Sequence, residues 1–160
     1  MRARVKTPPD PKAGGRILSK RAGEGGWEFA APRYNGPISF FANGVHKNVG
    51  RTRVDDDSWH HVAVVHDNGT IRAYVDGRFD GSVSFGRPVG PNSNALWVGC
   101  ASGRRGFDTF HRAGEFKDVK CFNRELTDFE LMAESWSQGE TPRSWVYAPM
   151  TFRGSQKHRA

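Results

Sequence analysis

The chain has 160 residues, a formal net charge of +7, 36% hydrophobic residues, 19 glycines and 9 prolines. This length suits one domain able to bury a core, and the lack of any apolar run near the ~20 residues that span a bilayer excludes a spanning helix. The charge surplus favours anionic partners such as acidic polysaccharide, nucleic acid or an anionic membrane surface, against a plain solvated, Arg-rich surface. MRARVKTPPD has no apolar signal-peptide core, so a secreted form is expected to have been trimmed or cut from something longer.

In chain order, residues 1–6 (MRARVK) alternate as a short strand and TPPDPKAGG is loop. RILSK (16–20) and GWEFAA (26–31) read as strands around a Gly-rich turn. ISFFA (38–42) and VHKNV (45–49) flank Asn43-Gly44, a hairpin signal. Thr52 to Ser58, with its three aspartates, is expected to be an exposed loop. From Trp59 to Asp67 both faces are largely apolar, as in a central strand covered on two sides. Asn68-Gly69 supplies a type I′ turn. TIRAYVD then places Ile71, Ala73 and Val75 on one face and Arg72, Tyr74 and Asp76 on the other. Asp76-Gly77 turns into RFDGSVSF, and ALWVGC (95–100) and EFKDVKCF (115–122) are further strands around a long loop. One helix follows: Thr127 and Glu130 form a capping box, Leu126 and Leu131 a hydrophobic staple. Phe129, Met132, Ala133 and Trp136 share a helical face, and Gly139 can close the helix.

WHHVAVVHDNGTIRAYVDG (59–77) and EFKDVKCFNRELTDFEL together resemble the paired central strands and the late strand with capped helix of the laminin-G-like, concanavalin A-like lectin/glucanase family. GGRILSKRAGEGGWEF and ALWVGC occur in the expected order, and the similarity runs from about residue 4 to residue 136. The resemblance implies an all-β, antiparallel two-sheet jelly-roll sandwich with one short C-terminal helix. The sandwich is expected over 1–139, lacking its first strand or strands. An extension follows over 140–160: either the chain is cut short at its start, or SWVYAPMTF (144–152) fills the vacant sheet edge as a strand, with the remainder a disordered tail. Many relatives bind calcium through an acidic residue early in the late strand, where this chain has Lys117. Calcium needs several oxygen ligands, so no cofactor is expected, with Asp118 the remaining metal candidate.

The glycosidase reading needs two carboxylates about 5–10 Å apart, and the E-x-D-x-x-E strand pattern of enzymatic relatives is absent. His60 and His66 share a strand side but lie ~20 Å apart, and His60 and His61 face opposite ways, so no metal joins them. His61 is expected to be a satisfied structural histidine, with Trp59 and Trp97 in the core. The loop SGRRGFDTFHRAG (102–114) combines Arg104, Arg105, His111 and Arg112 with Phe107 and Phe110. Guanidinium groups bind carboxylate or sulfate in bidentate fashion, and exposed rings stack on sugars; the alternative is that both phenylalanines pack under the loop. The resemblance implies that this loop lies at the ligand rim. Trp27, Arg33 and Tyr34, with Arg51 and Arg53, form a second candidate cluster. Cys100 and Cys121 close two strands joined by one loop; they either bridge or serve as two small apolar side chains.

The expected function is a non-catalytic recognition module for glycans or glycosylated proteins, anionic ones preferred, acting outside the cell within a larger protein. The alternative is a protein-interaction or structural module whose open sheet edge takes a strand from a neighbouring domain. Nucleic acid is disfavoured, since nothing resembles a recognition helix or an RNA-binding aromatic motif.

Overall fold

A computed structural model describes residues 1–10, 14–21, 25–31, 36–103, 106–108 and 114–136, side chains 101–103 and 106–108 excepted. The elements are β1 (Arg2–Lys6), β2 (Arg16–Ser19), β3 (Trp27–Ala30), β4 (Ser39–Ala42), β5 (Val45–Asn48), β6 (Trp59–Asp67) and β7 (Thr70–Val75). There follow β8 (Arg78–Ser84), β9 (Trp97–Val98), β10 (Ala101–Gly103), β11 (Gly106–Asp108), β12 (Glu115–Lys120) and α1 (Asp128–Trp136).

The strands form two five-stranded antiparallel sheets, β12-β1-β6-β7-β8 and β5-β4-β3-β2-β9, packed as a jelly-roll sandwich with one short helix. Alternation decides what lies between them. Ala3, Val5, Val62, Val64, Ile71, Ala73 and Val75 point inward from the first sheet, and Ile17, Leu18, Phe29, Phe40 and Ala42 from the second. β6 is the middle strand of its sheet, as its apolar character on both faces requires. The turns at Asn43-Gly44, Asn68-Gly69 and Asp76-Gly77 all have positive φ at both central residues, the type I′ geometry those dipeptides favour.

A second apolar cluster on the outer face of the first sheet joins Ala63, Val65 and Tyr74 to Leu126 and Leu131 beneath α1. The capping box forms: the Thr127 amide donates to Glu130 Oε2 at 2.8 Å and the Glu130 amide to Thr127 Oγ1 at 3.2 Å. Tyr74 donates its hydroxyl to Asp128 at 2.8 Å, and the buried Glu134 carboxylate pairs with Arg2 and Lys120.

Several expectations are corrected. The helix does not dock by its Phe129–Met132–Trp136 face: Phe129 and Trp136 are 73% and 70% exposed, and Leu131 and Glu134 are buried instead. The polar anchors Asp128 and Glu134 meet Tyr74 and Arg2 and so fix the rotation of the helix. Trp59 is exposed, carrying Lys117 Nζ 4.2 Å above its ring. In the 52–58 loop Val54 and Asp55 are buried, Asp55 held by Arg53. The long 101–114 connection contains a hairpin, β10 with β11. Cys100 and Cys121 are free thiols. They follow β9 and β12, at the edges of opposite sheets. Beside Cys100, Phe116 Cζ lies 2.8 Å from where a Gly99 Cβ would stand.

Candidate ligand-binding face

In β2, β3 and β4 one set of side chains enters the core and the other covers the outer face of the second sheet. Register pairs Trp97 with Ser19, Ser19 with Glu28, Glu28 with Phe41, and Phe41 with His46. These five residues form one row across all five strands. Beside it run Arg16, Ala30, Ser39 and Asn48.

Glu28 sits at the centre of this face on the middle strand, and its side chain is fully buried. A carboxylate is tolerated there only when paired. Arg16 binds it directly, Arg21 Nη1 stands 3.9 Å from Oε2, and His46 Nε2 stands 3.5 Å from Oε1. The Arg21 guanidinium lies 3.9 Å above the Phe41 ring, a stacked cation–π contact, and the His46 ring centroid is 6.0 Å from that of Phe41. Ser19, Glu28, Ala30, Ser39 and Phe41 are thereby buried, with the side chains of Arg16, Arg21 and His46 packed over them.

β10 lies against β2 and β9 of this sheet, and the 102–114 connection leads on to β12 at the edge of the other sheet. Phe107 belongs to β11, opposite Ser102. Arg104, Arg105, Phe110, His111 and Arg112 fall outside the described residues, as do Arg33 and Tyr34. Trp27 is half-buried and stacks on Phe40 with centroids 6.2 Å apart and planes 9° from parallel. It faces inward and walls a cleft of about 470 Å³ with Val64, Val89, Phe122 and Leu126, so the structure separates it from the Glu28 row. Arg53 is committed to Asp55, and the Arg51 amide donates to Asp80 at 2.9 Å.

The sequence reading missed Arg16, Arg21, Glu28, Phe41 and His46. One signal was available: Glu28 interrupts the apolar strand Trp27–Ala30, where a carboxylate needs a partner.

The histidines each have a distinct setting. His66 Nε2 accepts the Gly69 amide at 3.2 Å, a role within the turn. His60 is bracketed by carboxylates, Nδ1 2.8 Å from Asp76 and Nε2 3.0 Å from Asp56. His61 is buried, and neither of its ring nitrogens has a hydrogen-bond partner, which corrects the expectation of a satisfied histidine. Its strand position points the ring at the cationic outer row of β1, where the charges of Arg2, Arg4 and Lys120 oppose its protonation and that of Asp76 favours it.

The His60 bracket predicts a pH response. Burial opposes its charge, but the hydrogen bonds to Asp76 and Asp56 outweigh burial and raise its pKa. Its contribution is therefore complete below the unfolded value of about 6.5 and is lost as pH rises through the higher folded value. His60→Gln should flatten the alkaline-side decline in urea stability between pH 6 and pH 9; an unaltered slope would contradict the bracket.

Among the described residues, no group of three or more His, Cys, Asp or Glu side chains is placed to hold a metal ion. Asp118 occupies a strand irregularity with φ 53°. Its carbonyl accepts from Arg2 Nη1 at 3.3 Å, and Lys117 is its neighbour. That donor set does not fit calcium, which requires several oxygen ligands.

Two antiparallel five-stranded sheets with one short helix form the jelly roll of lectin-like domains. The chain belongs to the concanavalin A-like lectin/glucanases superfamily, whose laminin-G model matches residues 1–132. No curated protein matches the sequence. Among solved structures, the chain is similar to a Bacteroides ovatus ATCC 8483 protein to which carbohydrate binding has been ascribed, with 19% identity and a TM-score of 0.61. That match covers 82% of this chain and 39% of the other. A heptameric SAP-like pentraxin from Limulus polyphemus matches with 16% identity and a TM-score of 0.63, over 89% of this chain and 71% of its own. The binding domain of Paraclostridial Mosquitocidal Protein 1 matches with 11% identity and a TM-score of 0.59, covering 84% and 35%. The chain thus spans about two fifths of the Bacteroides protein. Among the described residues, no helix is long and apolar enough to cross a membrane.

Proposed function

We propose that this domain is a non-catalytic recognition module that binds glycans, acidic polysaccharide in preference, outside the cell and as part of a larger protein. The carrying observation is the outer face of the second sheet, where Arg16, Arg21 and His46 surround the buried Glu28 and the Arg21 guanidinium stands 3.9 Å over the Phe41 ring. The charge of +7 and a fold shared with a protein linked to carbohydrate binding support the same reading. We assign ligand contacts to this face and to the loop residues Arg104, Arg105, Phe107, Phe110, His111 and Arg112. Trp27, Arg33 and Tyr34 make a secondary contact surface. Glu28 is the one carboxylate in the two outer rows that are described, whereas glycoside hydrolysis uses two, and this favours binding over turnover.

A glycan array with neutral and sulfated members, read at two salt concentrations with and without calcium, tests the proposal. Sulfated or uronic-acid ligands should bind, more weakly at high salt and equally without calcium. Arg104→Ala/Arg105→Ala should reduce affinity at least tenfold and flatten the salt dependence. Unchanged affinity in that variant would move the site away from the loop. The absence of any glycan binding would favour the protein-interaction reading.

A further inference from the structure

The helix face expected to pack is the one left open. Phe129, Met132 and Trp136 succeed one another along α1, and Phe129 and Trp136 are largely exposed. Phe79, 59% exposed on the neighbouring β8, extends the stripe. Between helix and strand lies a cleft of about 610 Å³ walled by Val75, Phe79, Met132 and Trp136 on its apolar side and by Thr52, Asp76, Arg78 and Asp80 on its polar side. Folded domains rarely leave such a contiguous apolar surface uncovered unless it is a contact surface.

We propose that this surface is the docking site of the chain's own segment 144–152, SWVYAPMTF, which binds it in extended form. Trp136 is a wall of the cleft, and Ser144 follows eight residues later. Eight residues reach about 26–29 Å when extended, while the stripe from Phe129 to Trp136 is only about 10 Å long. The tether therefore reaches every part of the surface, and it holds the segment at an effective concentration of about millimolar. A partner in trans has to compete with that. The segment has matching chemistry: in extended form Val146, Ala148, Met150 and Phe152 fall on one side.

Hydrogen exchange by mass spectrometry on the full 160-residue chain tests the assignment. Amides in 144–152 should exchange at least tenfold more slowly than in the free peptide. Phe129→Ser/Trp136→Ser should abolish that protection, with unchanged exchange in β6 and β7 reporting an intact sandwich. Met150→Asp, which alters the segment alone, should do the same. Free-peptide exchange in the unmodified chain would overturn the proposal, as would protection that survives both variants. Protection that rises with protein concentration, together with a doubled mass by light scattering, would assign the surface to a second copy instead.

Discussion

Glu134→Leu should destabilise the domain by about 3–5 kcal/mol, the range found when one partner of a buried ion pair is removed. The side chains of Arg2 and Glu134 are only 4% and 3% exposed, and Lys120 Nζ stands 3.4 Å from the same carboxylate. Without Glu134, the helix would close over Arg2 and Lys120 with their shared carboxylate gone. Burial already lowers the Arg2 pKa against the pull of Glu134, so the guanidinium has little solvation to fall back on. The helix would lose its orientation too, because Arg4 Nη2 donates to the Ser135 carbonyl at 3.3 Å and depends on the same docking. Arg2→Met/Glu134→Leu should recover most of the loss, since an apolar pair of similar volume carries no desolvation cost. Urea melts of the two variants decide the point. A loss under about 1 kcal/mol for the single variant would mean that the pair is solvated.

The pair also shows what the sequence could and could not reveal. Strand alternation, three Asn-Gly or Asp-Gly turns and the capping box are local features, encoded within a few residues, and they specify the sandwich and its helix. The rotation of that helix is not local. Phe129, Met132 and Trp136 carry the larger apolar signal, yet Glu134 is drawn inward by Arg2, a partner 132 positions away. The same limit applies to the candidate face. Arg16, Glu28 and His46 lie on three separate strands and become neighbours only through register. The expectation that Trp59 is buried failed for a related reason. β6 is central, but its first residue pairs with the last residue of β1, at the margin of the sheet.

His61→Leu should stabilise the domain, by about 1–3 kcal/mol at pH 7, an uncommon direction for a change at a buried position. A neutral imidazole has one donor and one acceptor, and at His61 both ring nitrogens are buried without a partner. Leaving such groups unpaired costs about 1–3 kcal/mol, and leucine has none to desolvate. Proton linkage amplifies the difference in acid. Burial first, then the charges of Arg2 and Arg4, lowers the His61 pKa to about 3, whereas the unfolded chain titrates near 6.5. Below that value the unfolded state takes up a proton that the folded state refuses. The histidine therefore draws stability down as pH falls from about 6.5 towards 3, by about 1.4 kcal/mol per pH unit. At pH 5 the accumulated penalty is about 2 kcal/mol, absent from His61→Leu. His60 acts in the opposite sense, since its raised pKa holds its contribution intact in acid. The clean comparison is thus made in a His60→Gln background, with urea melts at pH 5 and pH 7. There the stability gained from His61→Leu should widen as the pH is lowered. A gain independent of pH would show that His61 takes up its proton in the folded state, and a net loss at both values would show that its nitrogens are paired.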